Sequence, residues 1–540
     1  MGDQLTADWI GFLTVGACVR TIALSGELTA GHEVEFALPD ERVHRLTMVL
    51  AEAEDRRLSG EVIARGETIR ISGCTEENTF IGTCETASGA GSVDLHRIAV
   101  LELAEYRALS RRYEFGGRRM SIHLNGDEWV GTPVLFYAER NRFVRLYADT
   151  AHRLLSEAGE IFVLTEDRRS IESMSTRLHP SEAVTVDEVP GWLDEEVRID
   201  GPGGQLCGTL MLPLEPGPHP AIVMVHGAAG GRRDYYRAFA EQFTQCGVAA
   251  LAYDRRGWGE SSGDKYPSFG EKADDASAWL EYLRSRPDID PDRVGIWGYS
   301  NGSWVAPLVA ARNTHAAFVC VIGASGMTAV ETEIHRRAFD LNEQGVPSAQ
   351  IEWVCQMWRI IYDVLQGRPS SVEDEQRFDD LAGKVRDSTE LSQIIVQEYA
   401  KQSPFLGSLP PYATYRELLA ELPNHAADSD EWTCDPVDSY RQVSRPVLFL
   451  VGADDSNLPA LESAKRVGRA LEQAGNHDHI VVVFANTGHG LNAGRADSIG
   501  MSDEEAAYRL HDFRFVGGYR ELIRQWVDTR ITGSALREPW

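Results

Sequence analysis

Val294-Gly295-Ile296-Trp297-Gly298-Tyr299-Ser300-Asn301-Gly302 is an apolar run that ends in a serine with a glycine two residues to either side. The run has the composition of a buried strand, and Trp304 to Ala311 behind it has that of an apolar helix. A G-x-S-x-G pentapeptide between a strand and a helix reads as a nucleophile elbow. The serine occupies strained backbone at a tight turn, and side chains at the two glycine positions would collide with neighbouring elements. The helix amino terminus behind it favours developing negative charge. Alone, the pentapeptide equally marks an ordinary glycine turn, so its meaning rests on partners elsewhere in the chain.

Upstream, from about residue 190, strands alternate with helices, the order that implies parallel βαβ units. Glu195 to Ile199 and Leu206 to Leu214 form an expected antiparallel opening pair. Ala221 to Val225 is wholly apolar, hence a central strand, and runs into His226-Gly227-Ala228-Ala229-Gly230-Gly231. Asp234 to Cys246 reads as helix, Val248 to Tyr253 as strand, and Asp254-Arg255-Arg256-Gly257-Trp258-Gly259-Glu260-Ser261 as a glycine-rich loop. A helix over Phe269 to Arg286 leads to the elbow strand. Downstream, Ala317 to Ile322 is one more strand. From about Thr328 to Val437 the pattern turns helical, aromatic and charged, as expected of a helical cap inserted between two strands of the sheet. Trp353, Trp358 and Tyr362 lie there at helical spacing and read as its core. The sheet resumes at Pro446 to Val451 and ends at His479 to Phe484, with helices over Leu461 to Ala474 and around Glu504 to Ile531.

Each parallel strand ends in a loop on one edge of the sheet, the edge where ligands bind in such folds. Two loops there carry the missing partners: Gly452-Ala453-Asp454-Asp455-Ser456-Asn457-Leu458-Pro459 and Gly488-His489-Gly490. A hydroxyl is a poor nucleophile at neutral pH, and His489 is the base expected to take the Ser300 proton and return it to a leaving group. A buried carboxylate would fix the imidazole tautomer; Asp455 is preferred to its neighbour Asp454. An oxyanion would need two preorganised N–H donors. The elbow offers the backbone of Asn301, and the loop after the first parallel strand offers Ala228, with Gly227 as the alternative. His226 is expected to brace that loop rather than titrate in catalysis.

From Trp9 to about Ser170 short alternating segments punctuated by Gly, Asn and Asp predict antiparallel β-structure. Val19 to Leu28, Leu58 to Ala64, Met120 to Leu124, Val134 to Tyr137 and Phe143 to Tyr147 are its clearest strands. Asn125-Gly126 and Glu139-Arg140-Asn141-Arg142 read as hairpin turns. No catalytic constellation and no propeller repeat is visible. The region reads as a β-sandwich or half-barrel, either capping the core or shaping substrate and pairing subunits. An exposed β-edge would let two copies form a homodimer.

The whole therefore divides into residues 1–189, an accessory β-rich domain; 190–327, the first part of an α/β core; 328–437, the cap; and 438–540, the second part of the core. A chain of 540 residues is long enough for two to four domains of ordinary size. The net charge of -29 argues against nucleic acid and anionic membranes, which demand a basic face. Eight scattered cysteines, with no C-x-x-C or His-Cys clustering, give no metal or redox signature, so no cofactor and no metal is expected. No run approaches the ~20 apolar residues of a membrane span, and Met1 to Leu28 lacks a basic start, which points to the cytoplasm.

With these motifs in hand, residues from about 190 to 535 resemble the α/β-hydrolase superfamily, and more narrowly the bacterial serine hydrolases of the dienelactone hydrolase and acyl-CoA thioesterase-like groups. The likeness rests on His226-Gly227-Ala228, the Tyr253 to Ser261 loop, the Ser300 elbow, Gly323-Ala324-Ser325-Gly326-Met327, Gly452 to Pro459 and Gly488-His489-Gly490. The chain order serine, acid, histidine is the one this fold uses. Two positions depart from the pattern: Ser303 stands where a second glycine is usual, and Ala228-Ala229 where relatives often carry Ser-Gly. The resemblance implies a hydrolase acting on a small-molecule acyl substrate through an acyl-enzyme. A carboxylic ester is the first expectation, a thioester or peptide the alternative, and a binding protein whose β-domain does the work the third.

Overall fold

The computed structural model describes residues 9–16, 18–38, 43–52, 57–64, 66–99, 101–125, 134–139, 142–149, 152–156, 159–228, 231–368, 371–402, 414–417, 430–491 and 515–533. They fall into two compact units, one essentially residues 3–191 and the other residues 192–503 with 515–539.

In the amino-terminal unit eight strands pair each with the next: Trp9–Val15 (β1), Cys18–Ser25 (β2), Glu33–Leu38 (β3), Val43–Glu52 (β4), Leu58–Ala64 (β5), Glu67–Glu76 (β6), Thr79–Thr86 (β7) and Gly89–Arg97 (β8). Strand β8 returns antiparallel to β1, Trp9 facing Arg97 and Thr14 facing Ser92, which closes a barrel. The sandwich or half-barrel expectation is therefore corrected to a closed barrel. Alternation along each strand sends every second residue inward. The interior is filled by Trp9, Phe36, Met48, Ile69, Phe80 and Leu95 among others.

After a short helix, Leu103–Leu109 (α1), nine strands form an antiparallel sheet. They are Arg112–Phe115 (β9), Arg118–Asn125 (β10), Val134–Glu139 (β11), Arg142–Ala148 (β12), Arg153–Ser156 (β13), Glu160–Leu164 (β14), Ile171–Thr176 (β15), Val184–Thr185 (β16) and Asp187–Glu188 (β17). Glu139 pairs with Arg142, as a two-residue connection requires. Arg140, Asn141 and Gly126 of the two expected turns lie outside the described residues. Ile10 and Phe12 of β1 pack with Tyr147 of β12 and Leu155 of β13, joining barrel and sheet.

The second unit is an eight-stranded sheet with the order β18-β19-β21-β20-β22-β23-β24-β25. Its strands are Leu193–Gly201 (β18), Gly204–Leu212 (β19), His219–Val225 (β20), Ala249–Tyr253 (β21), Ile289–Tyr299 (β22), Val319–Ile322 (β23), Val447–Gly452 (β24) and His479–Phe484 (β25). The first two are antiparallel and those from β21 to β25 are parallel. That order and those directions are the α/β-hydrolase fold, with the antiparallel β-unit before it. Central strands are apolar throughout because helices cover both faces. Arg237–Thr244 (α2) follows β20, and Phe269–Arg284 (α3) precedes β22. Helix α3 buries Phe269, Ala273, Ala276, Trp279, Leu280 and Leu283, one stripe at helical spacing. Each large side chain there contributes about 1.5–3 kcal/mol. Its start is fixed by Ser268 and Glu271, which form a reciprocal capping box.

Between β23 and β24 the described residues include four long helices, Ala329–Glu343 (α5), Ser348–Leu365 (α6), Val372–Asp387 (α7) and Thr389–Gln402 (α8), counted after Gly302–Arg312 (α4) behind the elbow. Trp358, Tyr362, Phe378, Leu381 and Val385 form their own apolar core. One arginine of the sheet's flanking helix Ala460–Gln473 holds both ends of this insertion. Arg466 reaches Glu331 in the first turn of α5 at 3.0 Å and Asp435, which caps the helix Pro436–Tyr440, also at 3.0 Å. The closing helix expected around Glu504 to Ile531 is described in its last part. That part spans Tyr519–Val527, beginning after Gly518 at φ 85°, and residues 504–514 lie outside those described.

Candidate active site

Strand β22 lies between β20 and β23 and leads directly into Ser300, whose φ of 51° places a non-glycine residue in the left-handed region. The two flanking glycines are required by contact. A Cβ on Gly298 would stand 2.3 Å from the Gly302 oxygen, and one on Gly302 would stand 2.6 Å from the Val225 oxygen. Ser300 N–H donates to Ile322 O at 3.1 Å, which ties the turn to β23, and α4 starts immediately after Asn301.

His489 follows β25 and meets Ser300. Its Nε2 is 2.8 Å from Ser300 Oγ, and its Nδ1 is 2.8 Å from Asp455 Oδ2. The Asp455 side chain is fully buried, and its other oxygen accepts the backbone N–H of Asn457 at 2.9 Å and of Leu458 at 3.3 Å. Those N–H groups stabilise the carboxylate and aim its free edge at the imidazole. Asp454 is half-exposed, donates its backbone N–H to Thr487 O, and among the described residues makes no bond to His489.

The loop after β20 passes beside this group. A Cβ on Gly227 would lie 3.4 Å from Ser300 Cβ. The Gly227 N–H donates to Tyr236 Oη at 2.8 Å, so it is engaged away from the serine. Arg255 Nη1 donates to Gly227 O and to Ala228 O, each at 3.2 Å. His226 is buried and its Nε2 bonds Tyr253 O. Burial first, then the Arg255 charge, pushes its pKa down to about 3, so it is neutral and serves as a brace.

Sequence reasoning passed over four residues that the fold brings here. Tyr236 and Arg255 hold the loop. Lys272, on the first turns of α3, donates from Nζ to Asn301 Oδ1 at 3.0 Å, next to the serine. His335 on α5 is half-buried; burial lowers its pKa while the Asp455 charge, within electrostatic reach, opposes the shift. Ser303, noted as a departure, accepts the Ser325 N–H at 3.0 Å, and Ser325 Oγ lies 3.3 Å from Thr332 Oγ1 of α5. The extra hydroxyl thus links the elbow helix to the start of the insertion. Only the Asp-Arg-Arg-Gly run hinted at any of these contacts.

Among the described residues no helix is long and apolar enough to cross a membrane, and no three His, Cys, Asp or Glu side chains cluster as metal ligands.

Residues 216–496, a little over half of the chain, match the family model described as serine aminopeptidase, S33. The chain belongs to that family of α/β-hydrolases. It is 36% identical over 126 residues to the quorum-quenching protein AidA of Acinetobacter baumannii, covering 23% of this chain and 41% of that one. Over 190 residues it is 30% identical to the mitochondrial acyl-coenzyme A thioesterase 2 of Homo sapiens, covering 35% and 37%. Both matches therefore span less than half the length of the relative. A solved carboxyl esterase from Bacillus coagulans is 17% identical with a TM-score of 0.35, over 63% of this chain and 99% of that one. The fold assignment rests on strand order rather than on that likeness.

Proposed function

We propose that this family member is a serine hydrolase that cleaves carboxylic esters through an acyl-enzyme on Ser300. The observation that carries the reading is the unbroken chain from Ser300 Oγ through His489 to the buried Asp455, 2.8 Å at each link. His489 Nε2 takes the serine proton as Oγ attacks the acyl carbon, and passes it to the departing alcohol; water then repeats the sequence on the acyl-enzyme. Asp455 holds the Nδ1–H tautomer and offsets the imidazolium charge. Backbone N–H groups of Ala228 and Asn301 receive the oxyanion, and the helical insertion acts as a cap over the site, with His335 of α5 within electrostatic reach of the acid.

A thioester is the second reading, favoured by the partial likeness to an acyl-coenzyme A thioesterase. Peptides with a free amino terminus fit less well. The Lys272 ammonium beside Asn301 would repel a substrate ammonium in a partly buried site, where charge repulsion is poorly screened.

Intact mass after treatment with a fluorophosphonate, on wild type and Ser300→Ala together, tests the nucleophile. One adduct on wild type alone is expected. Labelling of both, or of neither while matched ester, thioester and anilide substrates are all left intact, would remove the assignment. Rates on that matched series then rank the acyl classes, with the anilide expected last.

A further inference from the structure

Among the described residues of the loop expected to carry one oxyanion donor, Gly227, Ala228 and Gly231 are gripped from behind. Gly227 N–H is held by Tyr236, Gly227 O and Ala228 O are held by one guanidinium nitrogen of Arg255, and Gly231 O accepts the backbone N–H of Arg255 at 2.8 Å. Arg255 thus spans the loop, fixing its beginning through the side chain and its end through the main chain. The guanidinium is itself held. It is buried and lies 4.9 Å over the Trp258 ring, whose centroid is also 4.4 Å from Lys265 Nζ.

A trans peptide points its C=O and the following N–H in opposite directions. With Gly227 O turned toward Arg255, the Ala228 N–H points to the opposite side of that peptide. Gly227 itself borders Ser300. We infer that Arg255 is a positioning residue for the oxyanion site: its guanidinium aims the Ala228 N–H at the reacting carbonyl oxygen and polarises that peptide. A cation hydrogen-bonded to a peptide oxygen draws electron density from the amide, and its N–H becomes a stronger donor, since linked hydrogen bonds reinforce one another. The effect grows as charge develops on the oxyanion, so it belongs to the transition state rather than to substrate binding. Arg255 touches no substrate atom. Its neighbour Arg256 does different work, pairing with Asp275 at 2.6 Å and Glu271 at 2.9 Å on α3.

This inference rests on the serine hydrolase reading, and the test separates the two. Arg255→Met, which keeps length without charge, and Arg255→Lys, which retains a cation able to reach one carbonyl, are compared with wild type on the best ester. Beside this, inhibition is measured with a trifluoromethyl ketone, which forms an oxyanion on Ser300, and with the unfluorinated ketone, which does not. The expected result is a kcat about 30- to 100-fold lower in Arg255→Met with KM within about twofold, since losing a whole donor costs 10²–10³. Affinity for the trifluoromethyl ketone should fall in step with kcat/KM while the plain ketone is unaffected, and Arg255→Lys should lie between. A full kcat with unchanged trifluoromethyl ketone binding in either variant overturns the role of Arg255 and leaves Ser300 intact. A change confined to KM overturns it as well. If Arg255→Met does not fold, Arg255→Lys carries the same comparison. Wild type that neither turns over an acyl substrate nor takes a fluorophosphonate adduct overturns the parent reading, and this one with it.

Discussion

Strand β20 buries all seven of its residues, whereas along β5 buried Leu58, Gly60, Val62 and Ala64 alternate with more exposed neighbours such as Glu61 and Ile63. The first pattern belongs to a parallel sheet covered on both faces, the second to a barrel wall with one face in water. The difference reaches chemistry. Parallel strands release their carboxyl ends at one edge, so Ser300, Asp455 and His489, far apart in the chain, arrive at one place. The barrel closes on itself around large apolar side chains and, among the described residues, gathers no such set. Burial in the sheet unit positions Ser300, Asp455 and His489; burial in the barrel fills a volume.

The largest expected effect would break the comparison at its chemical end. Asp455→Asn should lower kcat roughly 10⁴-fold, because the amide orients the wrong imidazole tautomer. Asp454→Asn should stay within a few-fold. Equal losses in the two variants would return the acid to ambiguity. At the other end, Phe36→Ala opens a cavity in the barrel and should destabilise it by about 3–5 kcal/mol. The kcat of folded protein should be unchanged, as read by thermal melts beside initial rates. A fall in kcat at temperatures where the barrel is intact would give that unit a share in the chemistry.

The smallest effect sharpens the comparison within the sheet unit. His226 is held neutral down to about pH 3 in the folded state, while an exposed histidine protonates near 6.5. Between those values the unfolded chain binds the extra proton, so this residue's contribution is intact above 6.5 and is lost as pH falls. Denaturant midpoints followed from pH 7 to 4 should therefore drop less steeply in His226→Asn than in wild type. Parallel slopes would mean that the ring is not kept neutral by burial.

Much of this architecture is written locally. Apolar runs, caps and strand-end loops fix where β20, β22 and β24 lie, and from them the meeting of Ser300, His489 and Asp455 follows. What is not local could not be read. Alternation tells which face of β5 or β8 is inward, but not that the eighth strand returns to the first, because closure is a property of the whole set of registers. The grip of Arg255 on Gly227 depends on two loops brought together by β20 and β21. Of the helix expected around Glu504 to Ile531, the described part begins at Tyr519, since the amphipathic stripe of Tyr519, Ile523, Trp526 and Val527 starts only after Gly518.

The double hold of Arg466 on Glu331 and Asp435 has a consequence for how such a chain can diversify. The helical insertion departs and rejoins between adjacent strands, and both junctions converge on one guanidinium. To the sheet it is a segment with fixed ends, and the entropy of closing such a segment rises only with the logarithm of its length. Helices between the junctions can be lengthened, shortened or exchanged while β23 and β24 keep their register. The insertion can then change as a module at two seams, with the strand ends that carry Ser300, Asp455 and His489 left as they are.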